Sequence, residues 1–174
     1  MIRIIAGKYK NRKLKYFNIQ SVRPTQARVR KSMFDTLGNI EKQTVLDLFC
    51  GIGTLGIEAL SRGAKSVDFI DHNINALNVL KKNLNFLDVN NECFSISKND
   101  VMNYLIKEKN KYDLIIADPP YGKFSFIDFI PRVSSILKKG GVFCYESKKE
   151  KNILDLNLKI KNFGNSQLIF WRKE

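Results

Sequence analysis

A chain of 174 residues with 44% hydrophobic content can bury one compact core but is short for two, and that content excludes a largely disordered protein. No apolar run reaches the roughly 18–20 residues of a membrane span, and the first residues lack the apolar stretch of a signal peptide. Cys50, Cys93 and Cys144 show no CxxC spacing, so neither a disulfide framework nor a zinc site is expected, and a reduced cytoplasmic setting without metal or membrane is the simplest reading.

The net charge of +13 is unevenly placed. Before Asp35 there is no acid, whereas ten bases occur: Arg3, Lys8, Lys10, Arg12, Lys13, Lys15, Arg23, Arg28, Arg30 and Lys31. The remainder holds 20 of the 30 bases and all 17 acids. Such asymmetry points to a polyanion reached through the N-terminal segment. There, β-like stretches at 2–5 and 12–19 around Gly7 and Asn11 suggest a basic hairpin. After Pro24-Thr25, apolar Ala27, Val29, Met33, Phe34 and Leu37 predict a helix ending near Gly38, with Arg28, Arg30 and Lys31 on its other side. Residues 1–40 are therefore read as a basic extension, and 41–174 as the main domain.

From Thr44 the chain alternates strand and helix. Strands are expected at 45–49, 67–71, 94–96, 112–117 and 142–146, and helices at 54–62, from 74 to about 87, at 101–106 and at 126–137. Residues 153–161 and 167–172 close the chain as an antiparallel pair. This alternation implies an α/β fold, a mostly parallel sheet with helices on both faces. Ligands of such sheets bind beyond the carboxyl ends of the strands, where strand order reverses. Four places qualify: 47–56, Asp71, Asn99-Asp100 and 118–121.

Gly51, Gly53 and Gly56 form a GxGxxG pattern, with Asp71 twenty residues after the first glycine. Alone this fits NAD, FAD or S-adenosylmethionine, the acid serving ribose hydroxyls; a purely structural turn is the other reading. Asp47 separates these options. A carboxylate near this helix N-terminus repels a pyrophosphate, but attracts the ammonium and sulfonium of S-adenosylmethionine. It can equally brace the turn. Phe49 and His72 flank these positions and join them as cofactor-binding candidates, although His72 also suits a surface helix start. Asp100 fits either the adenine amino group or an N-cap.

Asp118-Pro119-Pro120-Tyr121 is the sharpest signal. An exocyclic amine on a base is a poor nucleophile, because its lone pair is delocalised into the ring. Acceptors must hold it so that the lone pair turns out of plane. Asp118 offers one acceptor and the Pro119 carbonyl a second, with Pro120 helping to stiffen the turn. Tyr121 offers a face for an unstacked base. Transfer then depends on positioning and electrostatics.

With these residues in view, the sequence resembles the RsmD family of bacterial small-subunit rRNA guanine-N2 methyltransferases. The resemblance rests on Arg3-Ile4-Ile5-Ala6-Gly7, on Arg23-Pro24-Thr25 with Arg28-Val29-Arg30-Lys31-Ser32-Met33-Phe34, on 47–56 with 58–64, and on 118–121. The segment from Arg23 onward is the most specific part. It implies a Rossmann-like class I methyltransferase fold with a seven-stranded sheet. It also implies S-adenosylmethionine as donor and one guanine N2 of 16S rRNA, in an assembling or assembled small ribosomal subunit, as target. The target type is guanine(966). Asp118 matches the family's amine-holding acid, and Asp47, Gly51, Gly53 and Asp71 its donor-binding positions. The charge asymmetry assigns RNA capture to Arg12, Arg23, Arg28 and Arg30, and a monomer is expected. Adenine N6 in DNA or RNA and a protein glutamine remain alternative substrates. A nicotinamide-dependent oxidoreductase is the alternative from another class.

Overall fold

In the computed structural model, residues 2–16, 25–149 and 157–174 are described. The first elements are β1 (Ile2–Arg3), β2 (Lys13–Leu14) and α1 (Ala27–Leu37). β1 and β2 pair antiparallel, Ile2 opposite Leu14, so the basic hairpin forms with strands shorter than expected. Its residues 17–19, and Arg23, lie outside the described residues.

The alternation follows as β3 (Thr44–Leu48), α2 (Thr54–Ser61), β4 (Ser66–Asp71), α3 (Ile74–Phe86), β5 (Phe94–Lys98), α4 (Val101–Lys107), β6 (Tyr112–Ala117), α5 (Phe126–Ile136) and β7 (Leu137–Lys148). The closing strands are β8 (Leu158–Phe163) and β9 (Ser166–Arg172); the expected residues 153–156 of that pair lie outside the described residues. The seven-stranded sheet runs β5-β4-β3-β6-β7-β9-β8. Its first five strands are mutually parallel, while β9 is antiparallel to both neighbours. Strand order reverses between β3 and β6, so the chain opens a crevice beyond their carboxyl ends.

The strands are apolar on both faces because both are covered. Val45, Val67, Phe69, Leu114 and Ile116 join one core with residues of α2 and α3. Leu46, Leu48, Ile70, Ile115 and Ala117 join the other with residues of α4 and α5. β7 begins at Leu137, earlier than the sequence suggested. The extra residues form a register shift opposite Tyr112 and Leu114. They are held by the chain end, where Gly140 N–H donates to Lys173 O (2.8 Å) and Lys173 N–H to Gly141 O (3.0 Å).

The N-terminal segment is built into the first core, to which Ile4, Tyr9, Leu14, Val29, Met33 and Phe34 belong. Glu58 of α2, 1% exposed, accepts the Ile5 N–H (2.8 Å) and the Ala6 N–H (3.0 Å) and pairs with Arg62 (2.8 Å). Gly7 passes so close that an added Cβ would stand 1.7 Å from Ser61 O, and its φ of +81° is strained for other residues. The sequence reading of Arg30 as a solvent-facing RNA contact is corrected here. Arg30 is 3% exposed, its guanidinium donates to Arg3 O (2.7 Å) and Thr25 O (3.4 Å), and it lies 4.0 Å from Glu58. Burial lowers its pKa, and Glu58 opposes that shift. It sits on the apolar face of α1 with Val29, Met33 and Phe34, while Arg28 is exposed. Replacing Arg30 by Ala strands those carbonyls and is expected to cost about 3 kcal/mol of unfolding free energy. Arg28→Ala is expected to stay within about 0.5 kcal/mol of the parent. Urea denaturation of the two variants checks the contrast.

Candidate active site

The crevice at the strand-order reversal is a cavity of about 640 Å³, and Asp47, Phe49, Gly51, Asp71, His72 and 118–121 all line it. Register explains the convergence. Asp47 lies opposite Ile116 and Leu48 opposite Ala117, so Asp118 follows directly across from the end of β3. The strand side chains alternate, placing Asp47 on the Val45 face, beneath α2.

Asp47 is 1% exposed, and its Oδ2 accepts the Gly56 N–H at 2.8 Å. That contact requires Gly56: a Cβ there would come within 2.2 Å of the Phe69 ring and 2.9 Å of Asp47 Oδ2. The other oxygen, Oδ1, is buried without a hydrogen-bond partner among the described residues. Burial pushes the Asp47 carboxyl up to about 8; the Gly56 N–H opposes this, and Asp118 and Asp71 add to it. Asp71 accepts Gly51 N–H and Asn73 N–H, both at 2.8 Å, and so ties the glycine turn to the end of β4. The Gly51 and Gly56 amides are thereby taken by carboxylates. A pyrophosphate here would meet two buried acids, which counts against the nicotinamide alternative.

Phe49 lines the cavity in a left-handed conformation (φ +57°), with its ring 5.3 Å from that of Phe124 and 6.0 Å from that of Phe129. A left-handed phenylalanine costs on the order of 1–2 kcal/mol, which the aromatic cluster offsets. Gly53, at φ +82°, starts α2 but does not line the cavity. His72 is an exposed side chain at the rim, 3.6 Å from Asp71. For Asp100 the structure gives the N-cap: its side chain accepts the Asn103 N–H at 2.9 Å, and it is absent from the cavity lining.

Across the cavity, Asp118 is half-buried, and Thr25 donates its hydroxyl to Asp118 Oδ2 at 2.6 Å. Burial raises the Asp118 carboxyl to about 6, and the Thr25 hydroxyl opposes that shift. Pro119 is buried, Pro120 is exposed, and the Tyr121 ring is 44% exposed at the mouth. Tyr121 OH donates to Glu146 Oε1 at 3.2 Å; burial, then Glu146 and Asp118, push its hydroxyl to about 12. Thr25, Glu146, Lys148 and Phe163 also line the cavity, and the sequence reading named none of the four as a site residue. Glu146 sits on β7, whose carboxyl end obeys the same strand-end rule that selected Asp118. Thr25 had only its place in the Arg-Pro-Thr segment to mark it.

Of the basic candidates, Arg28 lies with its guanidinium 5.9 Å from the Phe163 ring centre, beside the mouth. Arg12 lies on α3, donating to Phe86 O (3.1 Å) with its guanidinium 4.8 Å from the Phe86 ring centre. Among the described residues, no cluster of three His, Cys, Asp or Glu is placed to hold a metal ion, and no helix is long and apolar enough to cross a membrane.

The family model for Conserved hypothetical protein 95 matches residues 2–172. The structure is similar to that of the yhhF protein from Escherichia coli, with a TM-score of 0.88 and 28% identity over 99% of this chain and 98% of that one. Its fold is also that of the Thermus thermophilus 16S rRNA N2 G1207 methyltransferase, solved with AdoMet and guanosine (TM-score 0.70, 20% identity, 91% of this chain and 45% of that chain). The fold is thus the class I methyltransferase fold. In sequence the chain is 34% identical to ribosomal RNA small subunit methyltransferase D of Buchnera aphidicola, over 90% of this chain and 83% of the relative. It is 38% identical to the Haemophilus influenzae protein of that name, over 69% of this chain and 64% of the relative. The chain belongs to this family, the RsmD family.

Proposed function

We propose that the chain methylates the exocyclic N2 of a guanine in 16S rRNA, of the guanine(966) type, with S-adenosylmethionine as donor. The observation that carries this reading is the meeting, in one cavity, of a buried acid with one carboxylate oxygen unpartnered among the described residues and a half-buried acid on a diproline turn. Asp47 Oδ1 suits the donor's ammonium, since it is a buried acceptor awaiting a cation. Phe49, Gly51 and Asp71 would hold the rest of the donor, and His72 sits at the rim. When bound, the donor supplies an electrophilic methyl carbon on a sulfonium.

The chain's own residues perform the remaining work. Asp118 accepts a hydrogen bond from the base amine, and the Pro119 carbonyl offers a second acceptor. Together they keep the lone pair out of conjugation and aim it at the carbon. Tyr121 offers its exposed face to the extruded base, and its hydroxyl is fixed by Glu146. The amine becomes acidic only after transfer, so Asp118 serves first as acceptor and then as the nearest base.

The basic extension is read as the rRNA-capturing segment, with exposed Arg12 and Arg28 as its described contacts. The substrate is taken to be the small ribosomal subunit or its precursor, the protein a cytoplasmic monomer. Incubation with labelled donor and, separately, unmodified small subunits, naked 16S rRNA, DNA and protein extract tests the reading. Label on one guanine of 16S rRNA is the expected result. Label on adenine, DNA or protein would overturn it.

A further inference from the structure

Thr25 comes from the N-terminal segment, 93 residues before Asp118, and is 7% exposed. Its hydroxyl donates to Asp118 Oδ2 at 2.6 Å, which is short for this type of bond and fits a charged acceptor. Asp118 Oδ1 takes part in no hydrogen bond with the described residues, and Asp118 lines the cavity. Thr25 is itself held from behind. The buried Arg30 guanidinium donates to its carbonyl, and Arg30 N–H donates to Gln26 O at 2.9 Å, opening α1. Val29, Met33 and Phe34 anchor α1 in the core. The hydroxyl therefore comes from a buried residue tied to Arg30 just ahead of α1.

A carboxylate at a strand end can rotate about χ1 and χ2. Fastening one oxygen removes most of that freedom and leaves the other as the acceptor in a fixed direction. A misplacement of about 1 Å at a reacting group costs on the order of 100-fold in rate, so such fastening matters even without contact to substrate.

We propose that Thr25 is a positioning residue for methyl transfer: its hydroxyl holds Asp118 Oδ2 so that Oδ1 is the oxygen presented to the base amine. The inference rests on the function proposed above. It makes the basic N-terminal segment a structural part of the active site as well as a region for capturing RNA. Displacing the segment would release the acid.

The test compares Thr25→Val, nearly isosteric but without the hydroxyl, with Thr25→Ser, which restores it. For Thr25→Val the expected result is a fall of about tenfold in kcat, the scale of one lost hydrogen bond, with donor Kd and RNA KM within about twofold of the parent. The acid limb of its pH–rate profile should move to higher pH. So should the titration of Asp118 followed by carboxyl ¹³C NMR on the RNA-free protein. Thr25→Ser should return all of these toward the parent. Parental kcat and Asp118 titration in Thr25→Val would overturn the proposal. So would a rate loss with an unmoved titration, or a Ser variant no better than Val. Should Thr25→Val fail to fold by circular dichroism, Thr25→Ala carries the same expectations. If the parent protein transfers no label to RNA, the functional reading fails, while the NMR titration still decides whether Thr25 controls the carboxylate.

Discussion

Asp118→Ala should reduce single-turnover methyl transfer to 16S rRNA by about 100- to 1,000-fold, the range seen when one preorganised stabilising group is removed from a reacting centre. Donor affinity should stay within about twofold of the parent, because Asp118 lies across the cavity from Asp47 and the glycine turn. Single-turnover kinetics with labelled donor, alongside calorimetric donor binding, separate the two effects. Transfer at the parental rate would remove the mechanism. The pH profile of the parent follows from the same carboxylate. Burial has raised its pKa to about 6, so the acid is charged above that pH and neutral below it. The charged form is the acceptor required by the amine. With donor saturating, so that Asp47 is already ionised, activity should therefore rise with pH through about 6 and then level off, and Asp118→Asn should lack that limb.

The sheet was legible because its strands are apolar on both faces and are separated by helical spacings. β3, β4, β6 and the helices between them fall within a few residues of expectation. The site was legible where a residue sits at a parallel strand's carboxyl end, since topology alone sends those ends to one crevice. Asp47, Asp71 and Asp118 are of that kind. What failed had a common cause: local pattern does not reveal tertiary partners. Arg30 looked like an outward base because charge usually faces water, but Glu58 and two carbonyls make its burial tolerable. Asp100 sits at a strand end too, yet its carboxylate is committed to the first turn of α4. Thr25 was marked only by its place in the Arg-Pro-Thr segment, because its bond is to a residue 93 positions away. The early start of β7 depends on pairing with the chain's last residues, which no hydrophobic period encodes.

Asp47→Asn should weaken donor binding by about 10- to 100-fold with little change in fold. The amide oxygen can still accept the Gly56 N–H, so the turn keeps its brace. What disappears is the negative charge, and a hydrogen bond to a charged group is worth about 1.5–3 kcal/mol. Proton counting gives a sharper signature than affinity. In the free protein, burial holds the Asp47 carboxyl at about 8, so at pH 7 it is mostly protonated. A cation placed against Oδ1 favours the charged form and pulls that pKa below the working pH. Donor binding at pH 7 should then release close to one proton per site. Calorimetric titrations in buffers of different ionisation enthalpy report that number directly. The Asn variant has no proton to lose there and should release none. Proton uptake by the parent protein, or equal release by both proteins, would mean that the donor's charge is met by some other group. Because Asp47 Oδ1 has no hydrogen-bond partner among the described residues, a bound cation is free to shift its ionisation. A neutral donor analogue lacking the ammonium should therefore bind without displacing the proton.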